Sequence, residues 1–577
     1  MRTKYTIISL ALFGMAATSC SDEMNYKEYS VNDKEYIEAT TGRVGGFMTQ
    51  LYKAVDYDFG NFSAGAMAAC ATDEAEFSIM GNAIEDFYNG GWSPSNAKGT
   101  YWTSMYTVIQ AANHFLENFQ GLDFPDQVLD PTYQALMHQY NNYPYEARFL
   151  RAYYYFILNR QYGGVPLITR DMDPEEANSL SRNTSDEVFQ FIFDECDAIK
   201  DEIIADYANL GEYATGTAEN GRAGKIAVLA LRARAALYWA SPLFNPEGDN
   251  ERYKVAADYY KELFDYCDTL KPKKQLTSSY PNLWAADNFS KATINCELLF
   301  CYRYYVNAGG DNYVETHNWP VGVEGGTGGT CPTQNLVDAY EMKNGKGIFE
   351  EGSGYDPENP YKDRDPRLAF TVAVNGDQWP TYTKTPLEIF YGGRNAQPLA
   401  GATTTGYYLK KLCNGAIDLG ANSGFTMARH TYLNFRYGGA LLDYAECLFK
   451  ATGDNADGVL NGHNETARSL VNKVRNRTGV KMPAITVNGA EFWAKYQNER
   501  FVELAFEGHR FWDVRRWKEG SKFFTSITRM HLEQDAAGKI SYRREQVARQ
   551  WDEKMNFYPI PQSEITKNPN LKQNPGW

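Results

Sequence analysis

The chain has 577 residues, with 57 Lys and Arg against 72 Asp and Glu, for a formal charge of −15. Hydrophobic residues make up 43% and charged residues 22%, the balance of a folded globular protein, which excludes bulk disorder. An acidic chain repels a phosphate backbone, which disfavours general nucleic-acid binding, whereas 42 Tyr, 31 Phe and 11 Trp supply many rings suited to binding surfaces.

Residues 1–19 read as a secretory signal peptide. Arg2 and Lys4 precede an apolar run from Tyr5 to Ala17, too short to span a hydrocarbon core of roughly 30 Å as a helix. Ala16, Ala17, Thr18 and Ser19 lead directly into Cys20. This junction is similar to a bacterial lipobox, in which cleavage precedes the cysteine and its sulfur is lipidated. Several acyl chains anchor far more firmly than one. Ser21-Asp22-Glu23 is similar to the tags that route lipoproteins to the outer cell surface. The other eight cysteines form no C-x-x-C, so a zinc ribbon lacks support. Cys196, Cys267 and Cys447 fall in helical patterns and are expected to be buried thiols.

Periodicity predicts helices over 41–58, 100–120, 142–161, 185–206, 222–240 and 251–270, within an N-terminal region of 20–270. In the third, Leu150, Tyr153, Tyr154 and Ile157 form one apolar stripe, and Gly163-Gly164 with Pro166 stop the helix. Ser185-Asp186-Glu187 opens the fourth with a capping residue and an acidic first turn. From 271 to 430 the texture changes to Gly, Pro, Asn, Thr and aromatic residues, predicting short strands and long loops that carry function. Helices return over 435–451, 463–478 and 489–518, within a C-terminal region of 431–577. The fold class expected is mainly α: a tetratricopeptide-like scaffold of helical hairpins with an irregular, loop-rich insertion.

Glu499, Glu503 and Glu507 recur every four residues, a spacing that repels unless countered. With Arg500, Arg510, Arg515 and Arg516 close by, a buried charge network is the expected role, ahead of acid–base or metal chemistry. None of the seven His sits at metal-ligand spacing, and H-E-x-x-H is absent. The glycine run 322–329 lacks a Walker Lys-Ser/Thr, and G-x-S-x-G is absent. Neither metal nor cofactor is expected.

Four stretches together resemble the SusD/RagB family of outer-membrane nutrient-uptake lipoproteins. They are Glu146–Leu167, Arg436–Cys447 followed by Asn472–Arg477, Glu499–Trp517, and Pro559–Gln562 with the terminal Gln573–Trp577. Asp73-Glu74-Ala75 and Tyr101-Trp102 near Asn113 fit the early region. One departure is Gly438-Gly439 in place of the family's Ala-Glu, which is expected to loosen that helix start. The resemblance implies a non-enzymatic, tetratricopeptide-like binding protein. It implies a lid over a SusC-like TonB-dependent β-barrel that captures glycans or, in a RagB-like branch, peptides. An exported glycoside hydrolase is a further alternative, since abundant Asp and Glu allow paired carboxylates.

Sugar rings present C–H faces that stack on Trp and Tyr, while their hydroxyls seek short polar side chains. Two loop regions fit: 86–96 with Tyr88 and Trp92, and the insertion with Trp284, Tyr305 and Trp319. Trp319 and Trp92 are expected as exposed platforms with Trp284 in reserve. Asp73 and Asn82 are expected to supply hydrogen bonds.

Overall fold

The computed structural model describes residues 34–214, 221–284, 296–304, 310–420 and 426–577. The signal segment, Cys20 and Tyr305 lie outside the described residues. The longer helices are α1 Thr41–Tyr52, α2 Trp102–Asn118, α3 Tyr133–Tyr162, α4 Ser185–Ile199, α5 Lys225–Ala240, α6 Glu251–Thr269, α7 Tyr437–Ala451, α8 Ala467–Arg475, α9 Gly489–Glu503 and α10 His509–Arg516.

Local chemistry accounts for their ends. Thr184 and Glu187 form a capping box at the start of α4, satisfying two otherwise orphaned N–H groups. At the end of α3, Gly163 takes φ 73°, a left-handed value open to glycine. The helix also begins earlier than predicted, running through Pro144. Burial of Tyr140 helps hold this first part: its hydroxyl donates to the Phe119 carbonyl at 2.9 Å and accepts the Leu122 N–H at 2.7 Å.

Helices α2 to α8 pack in sequence order, each against the next. Alanines 227, 230, 233, 235, 236 and 240 of α5 are all buried, so α4 and α6 can approach closely on either side. Helix α6 contacts α7 directly, although about 170 residues separate them in sequence. The stack is therefore one helical-hairpin solenoid that the insertion interrupts in sequence but not in space. Strands β2 (Leu298–Tyr304) and β6 (His430–Arg436) pair antiparallel near the two ends of the insertion and tie off its base. The other two-stranded pairings are β1 (Ala75–Phe77) with β3 (Thr330–Pro332), β4 (Val372–Ala373) with β5 (Tyr408–Leu409), and β7 (Ser526–Gln534) with β8 (Ile540–Ala548). Among the described residues no helix is long and apolar enough to cross a membrane. All eight described cysteines are buried thiols without a disulfide.

The predicted helix 489–518 is broken. Phe506 and Gly508 take φ 62° and 74°, and the Phe506 N–H is caught by the buried Glu74 carboxylate at 2.5 Å. Glu507 therefore sits on the turn and not on the helix face of Glu499 and Glu503. There it meets Arg436 Nε at 2.6 Å and Lys411 Nζ at 2.9 Å.

A buried charge network runs outward from this corner. Glu503 accepts from Arg367, Arg436 and Arg477 at 2.9, 3.0 and 2.7 Å. Glu499 pairs with Arg367 and Arg475, and Glu297 with Arg436 and Arg477. Six buried carboxylates (Glu297, Glu341, Asp365, Glu499, Glu503, Glu507) face five buried cations (Arg367, Arg436, Arg475, Arg477, Lys411), and the half-buried Lys495 links Glu341 to the exposed Glu350. Dense pairing of this kind is what allows ions out of water. Burial alone would raise the Glu503 carboxyl; Arg477, Arg436 and Arg367 overcome it and hold it below its usual value. Gly438 belongs to the same arrangement. A Cβ there would lie 2.4 Å from an Arg436 guanidinium nitrogen and 2.6 Å from a Glu297 oxygen. The helix start is thus not loosened, because the glycine makes room for the ion pair.

Candidate functional site

The insertion folds back on the network and leaves an open cleft of about 440 Å³ on its surface. Four short segments line it: the turn 280–284, the helix end Ala369-Phe370, the loop 378–381 and the loop 410–415 that follows β5. Aromatic walls come from Tyr280, Trp284, Phe370 and Trp379, and polar edges from Asn282, Gln378, Thr381 and Asn414. The mix of apolar walls with a few polar groups suits a small-molecule site.

Each wall is positioned from behind. The Trp379 indole N–H donates to the Leu409 carbonyl at 3.1 Å. Trp319 packs edge-on to it, ring centroids 5.4 Å apart at 82°, and donates its own N–H to the Ile417 carbonyl at 3.0 Å. The Tyr280 hydroxyl donates to the Glu503 carbonyl at 2.9 Å. Lys411 Nζ lies 4.4 Å from the Trp284 ring centroid, a cation–π distance. Burial drives the Lys411 amine down to about 8 despite the Glu507 carboxylate beside it. The charge network thus ends directly against the cleft. The loop at Asn414 is held too, its N–H donating to Glu315 at 2.7 Å. Glu315 and Asp311 hold His430 between them at 2.9 and 3.2 Å. Burial would lower that imidazole, but the two carboxylates raise it to about 10.

Of the residues singled out in sequence, only Trp284 lines this cleft. Trp319 is wholly enclosed, at 0% exposure. An indole with no open face cannot stack on a sugar, so its expected platform role is corrected to that of a buttress for Trp379. Trp92 is corrected likewise: at 3% exposure it sits among Phe87, Tyr558 and the C-terminal Trp577 at 4.6–4.9 Å. Tyr88 is half-buried with the Arg549 guanidinium 4.1 Å from its ring. Asp73 is buried in a two-bond pair with Arg510, at 2.9 and 2.6 Å. Asn82 caps a short turn through the Ile84 N–H and accepts from Ser63. None of these four is brought to Trp284. Trp379, Phe370 and Gln378 were missed, although Trp379 lies in Gly376-Asp-Gln-Trp-Pro-Thr-Tyr382, the same texture of glycine, proline and aromatics that drew attention to Trp319.

Comparison with known proteins bears on both halves of this architecture. The model of the SusD family matches residues 296–577, and a second model, described as starch-binding associating with outer membrane, matches 31–235. The chain belongs to the SusD/RagB family. A SusD-like protein P2 of Formosa agariphila is 24% identical over 493 residues, covering 83% of this chain and 80% of the relative. Among solved structures, a SusD-like protein from Bacteroides fragilis superposes with a TM-score of 0.73 at 22% identity, covering 94% of this chain and 98% of its own. A SusD-like carbohydrate binding protein from the same species gives 0.72 at 25% identity, covering 93% and 100%. The family's helical, tetratricopeptide-like fold is the one observed here.

Proposed function

We propose that this protein is a non-catalytic, surface-exposed glycan receptor. It would hold oligosaccharides in the Trp284–Trp379 cleft and deliver them to a SusC-like TonB-dependent transporter in the outer membrane. The cleft carries the reading: the half-buried Trp284 and Phe370 rings and the small exposed part of Trp379, edged by amides and a hydroxyl, match a sugar's C–H faces and its hydroxyls, while Tyr280 is enclosed beneath them. The carbohydrate binding of the Bacteroides fragilis relative supports the same ligand class. Among the described lining residues there is no carboxylate, whereas glycoside hydrolysis ordinarily needs two of them flanking the bond.

Trp284→Ala tests this. Half-buried at the cleft, the ring contributes apolar contact at roughly 25 cal/mol per Å², so its removal is expected to weaken binding about tenfold or more. The melting temperature should move little. Calorimetric titration with a panel of oligosaccharides checks it; unchanged affinity would place the platform elsewhere.

The anchor is proposed to be the lipidated Cys20, following the leader and small residues that precede it. Cys20→Ala is expected to leave an unprocessed precursor that is not acylated. Normal maturation with continued membrane partition, read by labelled fatty-acid incorporation and fractionation, would point to another anchor.

A further inference from the structure

Charge decides which sugars a cleft of this kind accepts. The only charged side chains on its described lining are Lys410 and Lys411, which on composition alone would suit uronates or sulfated sugars. Both amines, however, are already claimed from within. Lys411 Nζ is buried and donates to Glu507 at 2.9 Å, to the Glu503 carbonyl at 3.2 Å and to the Tyr280 hydroxyl at 3.2 Å. An ammonium has three protons to give, and these three bonds use them. Lys410 Nζ donates to the Asp377 carboxylate at 2.6 Å and to the Ala369 carbonyl at 3.2 Å. Each positive charge thus has a carboxylate in contact, and the remaining polar edge is made of neutral amides and a hydroxyl.

We propose that the cleft selects uncharged oligosaccharides and rejects anionic ones, because its two lysines are neutralised by Asp377 and Glu507. This rests on the cleft being the glycan site. A carboxylate or sulfate entering it would be desolvated without gaining an unpaired cation among the described lining residues. It would also approach a chain whose formal charge is −15, which opposes an anionic ligand at long range.

Asp377 offers a way to reverse the preference. Its Oδ2 accepts the Val374 N–H at 3.0 Å as well as the Lys410 amine. Asp377→Asn keeps an oxygen for that backbone group while removing the charge that holds Lys410. The experiment uses affinity electrophoresis with matched neutral and anionic polymers on one backbone. The probes are methyl-esterified and free polygalacturonate, hydroxyethyl- and carboxymethyl-cellulose, and desulfated and native fucan. The wild-type protein is expected to be retarded by a neutral member and not by its anionic counterpart. Asp377→Asn should gain affinity for an anionic member by roughly tenfold, the scale of one charge-assisted contact in a half-open site. Adding Lys410→Met to that variant should abolish the gain.

The inference is overturned if the wild type holds an anionic member as tightly as its neutral partner. It is equally overturned if Asp377→Asn gains nothing on any anionic polymer. Failure of the cleft reading looks different: Trp284→Ala would then leave retardation on every retained polymer unchanged.

Discussion

Replacing Glu503 with Gln is expected to lower the free energy of unfolding by about 3–5 kcal/mol, the cost of removing one partner from a buried ion pair. Glu503 is wholly buried and is the only carboxylate of the network that touches three guanidinium groups, those of Arg367, Arg436 and Arg477. Gln preserves shape and one acceptor, so the loss is electrostatic and not a cavity. Arg367 keeps Asp365 and Glu499, and Arg477 keeps Glu297, which limits the damage to destabilisation. The effect should depend on pH in a stated direction. Because the Glu503 carboxyl is held below its usual value, its contribution is complete above the unfolded carboxyl value of about 4.3. It is lost as pH falls through the depressed folded value, so the gap between wild type and variant should close in acid. Urea denaturation at neutral and acidic pH reads both; an unchanged midpoint at neutral pH would remove the network from the stability of the fold.

Trp319→Ala is expected to cost a similar amount, about 3–5 kcal/mol, as for other large aromatic truncations in a core. The indole is fully enclosed, and its loss leaves the Ile417 carbonyl without its donor and Trp379 without its edge-on neighbour. Glycan affinity per folded molecule should fall as well, because Trp379 forms a wall of the cleft that Trp319 holds in place. Stability and binding are thus expected to fall together, unlike Trp284→Ala, where binding falls alone. Denaturation paired with titration separates the two patterns. A Trp319→Ala protein of normal stability would show that the ring is not part of the packed core.

Helical hairpins, their caps and the charged C-terminal motif were legible from residue order. Apolar spacing near 3.6 residues, a capped acidic start at Ser185–Glu187 and the glycine stop at Gly163 are local signals, and the helices follow them, although the cap itself is Thr184, one residue before the Ser185 read from sequence. The pairing of acidic and basic residues around Glu503 was also foreseeable, since three like charges at helical spacing demand counterions. Their partners were not. Arg367, Glu297 and Lys411 come from the irregular insertion, whose loops have no period from which to read a facing direction. The break at Phe506–Gly508 depends on Glu74, 432 residues away. The same limit governs the cleft. Trp319 and Trp379 both stand in glycine- and proline-rich loops, and composition ranks them equally as ligand platforms. Only the packing of the 408–417 segment across them encloses the first and leaves the second on a cleft wall. Side-chain exposure in a loop is set by what folds over it, and that is a property of tertiary contacts alone.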